Sequence, residues 1–174
     1  SKAMMVDASA ATGNVTATLA LNTEVGKVQE YKGGSGVDTI TIGTNASGWG
    51  DKVKIDGGNG SADVLVANYA AAGTDVALGN AANVKGFEVL RLGAAATSAA
   101  GSYDASGFST VQAGLVAGNV AFTGAATGLT LDVLTNTTDK TVTVTGANYT
   151  ATNTAMTVNL GSGVNVIAAA GGST

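Results

Sequence analysis

Apolar and polar residues alternate with a period of two through most of this chain. The runs are NVTATLAL (14–21), DTITI (38–42), DKVKI (51–55), DVLVA (63–67), DVAL (75–78), FEVLRL (87–92), LTLDVL (129–134), TVTVT (141–145), MTVNL (156–160) and VNVIA (164–168). Each is four to eight residues long, rich in Val, Ile and Thr, and bounded by Gly, Asn, Ser or Asp, which predicts short β-strands. Helical periodicity is scarce, and only residues 69–73, Tyr-Ala-Ala-Ala-Gly, read as a brief helical turn. Successive runs are mostly 10 to 14 residues apart. Turns that short, with so much Gly and Asn, suit a regularly coiled β structure.

Internal similarity sharpens this into an architecture. GGSGVDTITI (33–42) returns as GGNGSADVLV (57–66), and DASAATGNVTATL (7–19) resembles DASGFSTVQAGLVAGNVAFTG (104–124). VKGFEVLRL (84–92) and FSTVQAGL (108–115) each lead an aromatic residue into a strand. The expected fold is all-β, a single parallel β-solenoid segment spanning 1–174 with about 20 to 25 residues per coil. A β-sandwich is the rival, since it also yields alternating strands. Small side chains, which let coils stack about 4.8 Å apart, and acid-bearing turns recurring at one coil favour the solenoid.

The turns carry the chemistry. Gly33-Gly34-Ser35-Gly36-Val37-Asp38-Thr39-Ile40-Thr41 fits the nonapeptide G-G-x-G-x-D-x-U-x, with U apolar, at every position. Gly57-Gly58-Asn59-Gly60-Ser61-Ala62-Asp63-Val64-Leu65 fits with one extra residue before the aspartate. Gly50-Asp51 keeps the turn and the acid but loses the double glycine. Calcium takes six to eight hard oxygen ligands, and main-chain carbonyls serve as well as carboxylates. Glycines allow those carbonyls to converge, and the apolar residue two positions after the acid points into the coil. One turn offers too few oxygens, so the turn stacked above or below is expected to complete a site. Asp38 and Asp63 are 25 apart, one coil, while Asp51 falls halfway, at the opposite corner. Stacked carboxylates without an ion repel by up to about 4 kcal/mol at 4 Å and an effective dielectric of 20, and a bound cation reverses that sign. The candidate calcium ligands are therefore Gly33, Gly34, Gly36, Asp38, Asp51, Gly57, Gly58, Gly60 and Asp63.

The motif resembles the calcium-binding repeat of RTX proteins, which coil into a parallel β-roll. The order DASAATGNVTATL, GGSGVDTITI, DGGNGSADVLVA, VKGFEVLRLG is similar in texture to S-layer and RTX-type surface proteins that Gram-negative bacteria export by type I secretion. A roll of the toxin type has many uninterrupted repeats, whereas one intact and one stretched copy stand here. The resemblance therefore implies a broader solenoid with one or two calcium sites. It also implies calcium-dependent folding outside the cell, and assembly into a lattice or adhesion to a surface.

Composition narrows the alternatives. The chain has no Cys and no His, which removes thiol nucleophiles, disulfides, Ser-His-Asp triads and ordinary zinc sites. A net charge of −4 with a single Arg is a poor footprint for nucleic acid, and no apolar run is long enough for a membrane-spanning helix. Only 5% of residues are aromatic, so a core built largely from small side chains is expected. The opening Ser1-Lys2, without an initiator methionine or a signal peptide, reads as a piece of something longer.

Other signals have plainer explanations. The sequons at Asn14, Asn45, Asn136 and Asn148 arise readily in so Asn- and Thr-rich a chain. Glu88 and Arg91, three apart on one strand, suit solvated positions or cross-coil partners better than an acid–base pair, and no carboxylate pair sits in a glycosidase-like context. Trp49 and Tyr31 flank the proposed site, as an apolar cap or as a sugar-stacking pair. The expected function is a secreted, non-catalytic, calcium-binding structural protein of the bacterial cell surface that associates with itself. An adhesin or carbohydrate-binding module that takes cell-surface polysaccharide is the alternative, and a β-helix polysaccharide-active enzyme comes third.

Overall fold

The computed structural model describes residues 5–19, 28–43, 53–70, 74–75, 83–98, 100–115, 118–136, 140–146 and 156–161. The chain is a β-solenoid. Every strand pairing among the described residues is parallel.

One face is a continuous seven-stranded sheet. In spatial order it runs β2 (Thr16–Leu19), β4 (Thr39–Ile42), β6 (Val64–Ala67), β9 (Val89–Leu92), β11 (Thr110–Leu115), β13 (Thr130–Asn136) and β15 (Thr157–Leu160). Its first column reads Thr16, Thr39, Val64, Val89, Thr110, Thr130, Thr157, in steps of 23, 25, 25, 21, 20 and 27 residues. The coil length expected from the sequence is thus observed through most of the stack.

The facing layer is two four-stranded sheets. The first holds β1 (Met5–Asp7), β3 (Gln29–Lys32), β5 (Val53–Asp56) and β8 (Val84–Lys85). The second holds β7 (Thr74–Asp75), β10 (Gly101–Asp104), β12 (Val120–Thr123) and β14 (Val142–Val144). The break falls between β6 and β9, where the chain lays down two strands: β7 joins β10, and β8 joins β5.

The core lies between the layers, in ladders of like side chains. Ala17, Ile40, Leu65, Leu90, Val111 and Leu131 form one inward column of the long sheet, and Leu19, Ile42, Ala67, Leu92, Ala113 and Val133 another. Tyr31, Ile55, Tyr103 and Phe122 face them, each at most 1% exposed. Full burial of a large apolar side chain contributes about 1.5–3 kcal/mol, so these ladders hold the coils together. The core is bulkier than composition implies, because Phe87, Phe108 and Phe122 are all buried and Phe87 and Phe108 each lead into a strand of the long sheet.

Several details depart from the sequence pattern. Tyr69 and Ala70 are not helical and residues 71–73 lie outside the described residues; among the described residues a 3-10 turn occurs at Ala96–Ser98. The two Asp-Ala-Ser segments do hold matching turns, with Ser9 and Ser106 amides donating to Asp7 and Asp104. The similarity ends there: Gly13-Asn14-Val15 leads into the long sheet, Gly118-Asn119-Val120 into the facing one. Residues 164–168 lie outside the described residues.

Candidate functional site: a buried carboxylate column

The residues just before the first five strands of the long sheet are Val15, Asp38, Asp63, Glu88 and Ser109, with Leu129 and Met156 in the same place before the last two. Three consecutive rungs of this corner column are acids. Each acid accepts a hydrogen bond from the main-chain N–H one rung earlier. Val15 donates to Asp38 Oδ1 at 2.9 Å, Asp38 to Asp63 Oδ1 at 2.7 Å, and Asp63 to Glu88 Oε2 at 2.9 Å. The ladder stops at Ser109, whose hydroxyl donates to the Glu88 carbonyl at 3.2 Å. Asp38 and Asp63 are 0% exposed, which carboxylates almost never are unless paired.

The two aspartates are satisfied differently. Asp38 Oδ2 accepts from the Tyr31 hydroxyl at 3.0 Å and from the Gly34 N–H at 3.2 Å, so donors meet both of its oxygens. Tyr31 is buried in the core, with its proton held firmly: burial, the bond to Asp38, and the charges of Asp38 and Asp63 all push its phenol up. That corrects the sugar-stacking role considered for Tyr31, while Trp49 lies outside the described residues.

Asp63 has no such cover. Its Oδ2 is buried and makes no hydrogen bond. Gly60 lies against this carboxylate. A Cβ on Gly60 would stand 2.5 Å from Asp63 Oδ1, 2.6 Å from Oδ2 and 2.5 Å from the Gly36 carbonyl oxygen of the coil before. Three oxygens therefore crowd the position that a side chain at Gly60 would take, so only glycine fits there. Burial pushes the Asp63 carboxyl up, and the charges of Glu88 and Asp38 add to this, against the opposing Asp38 and Gly60 amides.

The glycines serve the stacking directly. Gly33 N–H donates to the Asp56 carbonyl, Gly57 N–H to Lys85, and Asn59 N–H to Gly34, so the turns continue the peptide ladder from coil to coil. A side chain on Gly33 would run into the Gly57 carbonyl. Gly58 takes a left-handed φ of 102° and donates to Asp56 Oδ1.

The structure thus brings together Gly33, Gly34, Gly36, Asp38, Gly57, Gly58, Gly60 and Asp63 at one corner, whereas Asp51 lies outside the described residues. Asp38 accepts from two amides and a hydroxyl, and the Gly57 carbonyl of the next coil also comes close to it, across Gly33. Glu88 is the member that the motif misses. Its place follows from counting: it stands 25 residues after Asp63, as Asp63 does after Asp38. Arg91 serves a separate outward ladder, donating to Gln112, which in turn donates to Asp132.

The oxygens around Asp63 are of the kind a hard cation takes: the bare Oδ2, Oδ1, which already accepts the Asp38 amide, and the Gly36 carbonyl of the coil before. No cluster of three or more Asp, Glu, His or Cys side chains suited to a metal forms among the described residues, so further ligands there would be main-chain or solvent oxygens. Compared with known proteins, the chain matches no family model, and no curated protein or solved structure is significantly similar to it.

Proposed function

We propose that this chain is a calcium-stabilised solenoid segment of a secreted bacterial cell-surface protein, structural and self-associating, not catalytic. The observation that carries the calcium reading is the bare, buried Asp63 Oδ2 beside the Gly36 carbonyl. Asp63 and Gly36 would hold the ion, and the charges of Asp38 and Glu88 would add to its attraction. A bound divalent cation supplies the positive charge that this buried corner lacks and ties one turn to the next. Without it, Asp63 either ionises against burial and two neighbouring acids or takes up a proton, and both weaken the junction between the coils of β4 and β6. Asp38 has the plainer task of fixing the turn through Val15, Gly34 and Tyr31.

On this reading the chain stays loose where free calcium is low and orders after export, binding being coupled to folding. Thermal unfolding by circular dichroism, in EGTA and then in calcium, tests it. Calcium is expected to raise both the β-sheet signal and the midpoint, the stabilisation being about 2.7 kcal/mol at a hundredfold excess over Kd. Identical spectra and midpoints in the two conditions would sink the proposal.

A further inference from the structure

Apart from Val37 in the turn before β4, the large apolar side chains that remain exposed among the described residues gather toward the ends of the stack. Leu134, Met156, Val158 and Leu160 are 37–45% exposed on or beside the last two strands of the long sheet, and Met5 is 45% exposed on β1 at the other end. Among the described residues, β15 pairs with β13 alone and β2 with β4 alone. The Thr157 and Gly161 amides donate inward, to Leu129 and Val133. By the alternation of a parallel ladder, the peptide groups of Val158 and Leu160 therefore face the open side. At the opposite end Thr39 donates to Val15, which leaves the Thr16 and Thr18 peptide groups facing outward in the same way.

Proteins usually guard such edges with charge, proline or a bulge. Here residues 141–174 contain no Asp, Glu, Lys or Arg, the chain contains no proline, and β15 pairs without a register shift. The two open strands also match. Carried one step further, the register of the sheet sets Thr157 over Thr16, Val158 over Ala17, Asn159 over Thr18 and Leu160 over Leu19. Inward positions then meet apolar partners, and outward positions meet polar ones. In the facing layer, the equivalent Asp7 and Asp104 turns give Val6 the place of Tyr103, the column that ends in Val144. Both valines are only partly buried.

We infer that the β15 end of one copy stacks on the β1–β2 end of a second copy, head to tail, as one more coil of a continuous parallel sheet. The Met156 and Val158 carbonyls would then accept from the Thr16 and Thr18 amides of the second copy. This contact does not close on itself, so it propagates into a filament. It gives the self-association proposed above its surface and rests on that part of the reading, not on calcium.

Sedimentation velocity over a range of concentrations, with calcium and with EGTA, tests the inference. The mass should climb above the 16.7 kDa of one chain as concentration rises. Val158→Pro and Thr18→Pro each remove an amide that the chain's own ladder leaves unused, and each variant alone should stay monomeric with an unchanged far-ultraviolet spectrum. Mixed in equal amounts, they should form dimers of about twice 16.7 kDa and nothing larger, since one keeps only its β2 end and the other only its β15 end. Dimers of either variant alone would mean a head-to-head contact and overturn the inference. So would a wild type that stays monomeric at every concentration. Hydrogen exchange on the wild type needs no variant: the Val158, Leu160, Thr16 and Thr18 amides should slow as concentration rises. Concentration-independent protection would mean that the chain's own residues cover the edge, again overturning the inference. Assembly unaffected by EGTA leaves the inference standing, whereas the thermal midpoint alone judges the calcium reading.

Discussion

Asp38 and Asp63 occupy the same place in neighbouring coils, yet their surroundings ask opposite things of them. Donors meet both oxygens of Asp38, so its hydrogen-bonding capacity is met within the chain. Asp63 keeps one bare oxygen, and burial with the adjacent acids raises its proton affinity. Below the ordinary value of 3.8 the folded and unfolded chains both carry the proton at Asp63, and the residue costs nothing. As pH rises from there toward the raised folded value, the unfolded chain ionises while the folded one keeps its proton, so stability is lost, and above that value the loss is complete. In EGTA, Asp63→Asn is therefore expected to melt at a higher temperature than the wild type at neutral pH. That advantage should shrink as pH falls toward 3.8, and the variant should lose the calcium-induced rise in midpoint. Paired thermal melts of the two proteins across pH check this. A variant less stable than the wild type at neutral pH in EGTA would show that the charge is already compensated within the chain.

At the scale of elements, the sequence pattern finds strands where several inward positions alternate, and it misses those where only one does. All but one of the seven strands of the long sheet coincide with a predicted run, and the exception, β11, lies within FSTVQAGL. In the facing layer, β1, β3 and β8 each turn one large apolar residue inward, Val6, Tyr31 or Val84, with charged residues beside Tyr31 and after Val6 and Val84, so no period is visible. What aligns them is cross-strand chemistry. Asp7, Lys32, Asp56 and Lys85 stack in one column of alternating charge, with Lys85 and Asp56 2.9 Å apart. The corner was half legible for a related reason. Glycine and aspartate spacing reveals which turns stack, but not whether the atom beside a carboxylate is a donor or an acceptor. Close approach separates the glycines further. A methyl on Gly33 meets the Gly57 backbone, whereas one on Gly13 meets nothing within 4 Å. Gly33→Ala should lower stability by about 1–3 kcal/mol through overpacking. Gly13→Ala should change it by less than about 0.5 kcal/mol, and chemical denaturation of the two variants would compare them.

At the scale of the molecule, each coil touches only its neighbours, so stability is local and additive along the stack. The acid column sits in the coils of β4, β6 and β9, while β15 at one end has all four residues exposed. An ion at Asp63 would act directly on the β4–β6 junction and reach distant coils only through the interfaces between. A compact sandwich, unfolding as one unit, would instead spread the same stabilisation over every strand. Hydrogen exchange with and without calcium, at a concentration low enough to keep chains apart, separates these behaviours. Protection is expected to rise most at residues 33–42 and 57–67, less at 89–92, and least at 142–144 and 157–160. An equal rise everywhere would mean that the coils unfold together and that the nearest-neighbour picture is wrong. A rise centred instead on the coils of β11 and β13 would move the ion away from Asp63, to a part of the stack where no acid occupies the corner column.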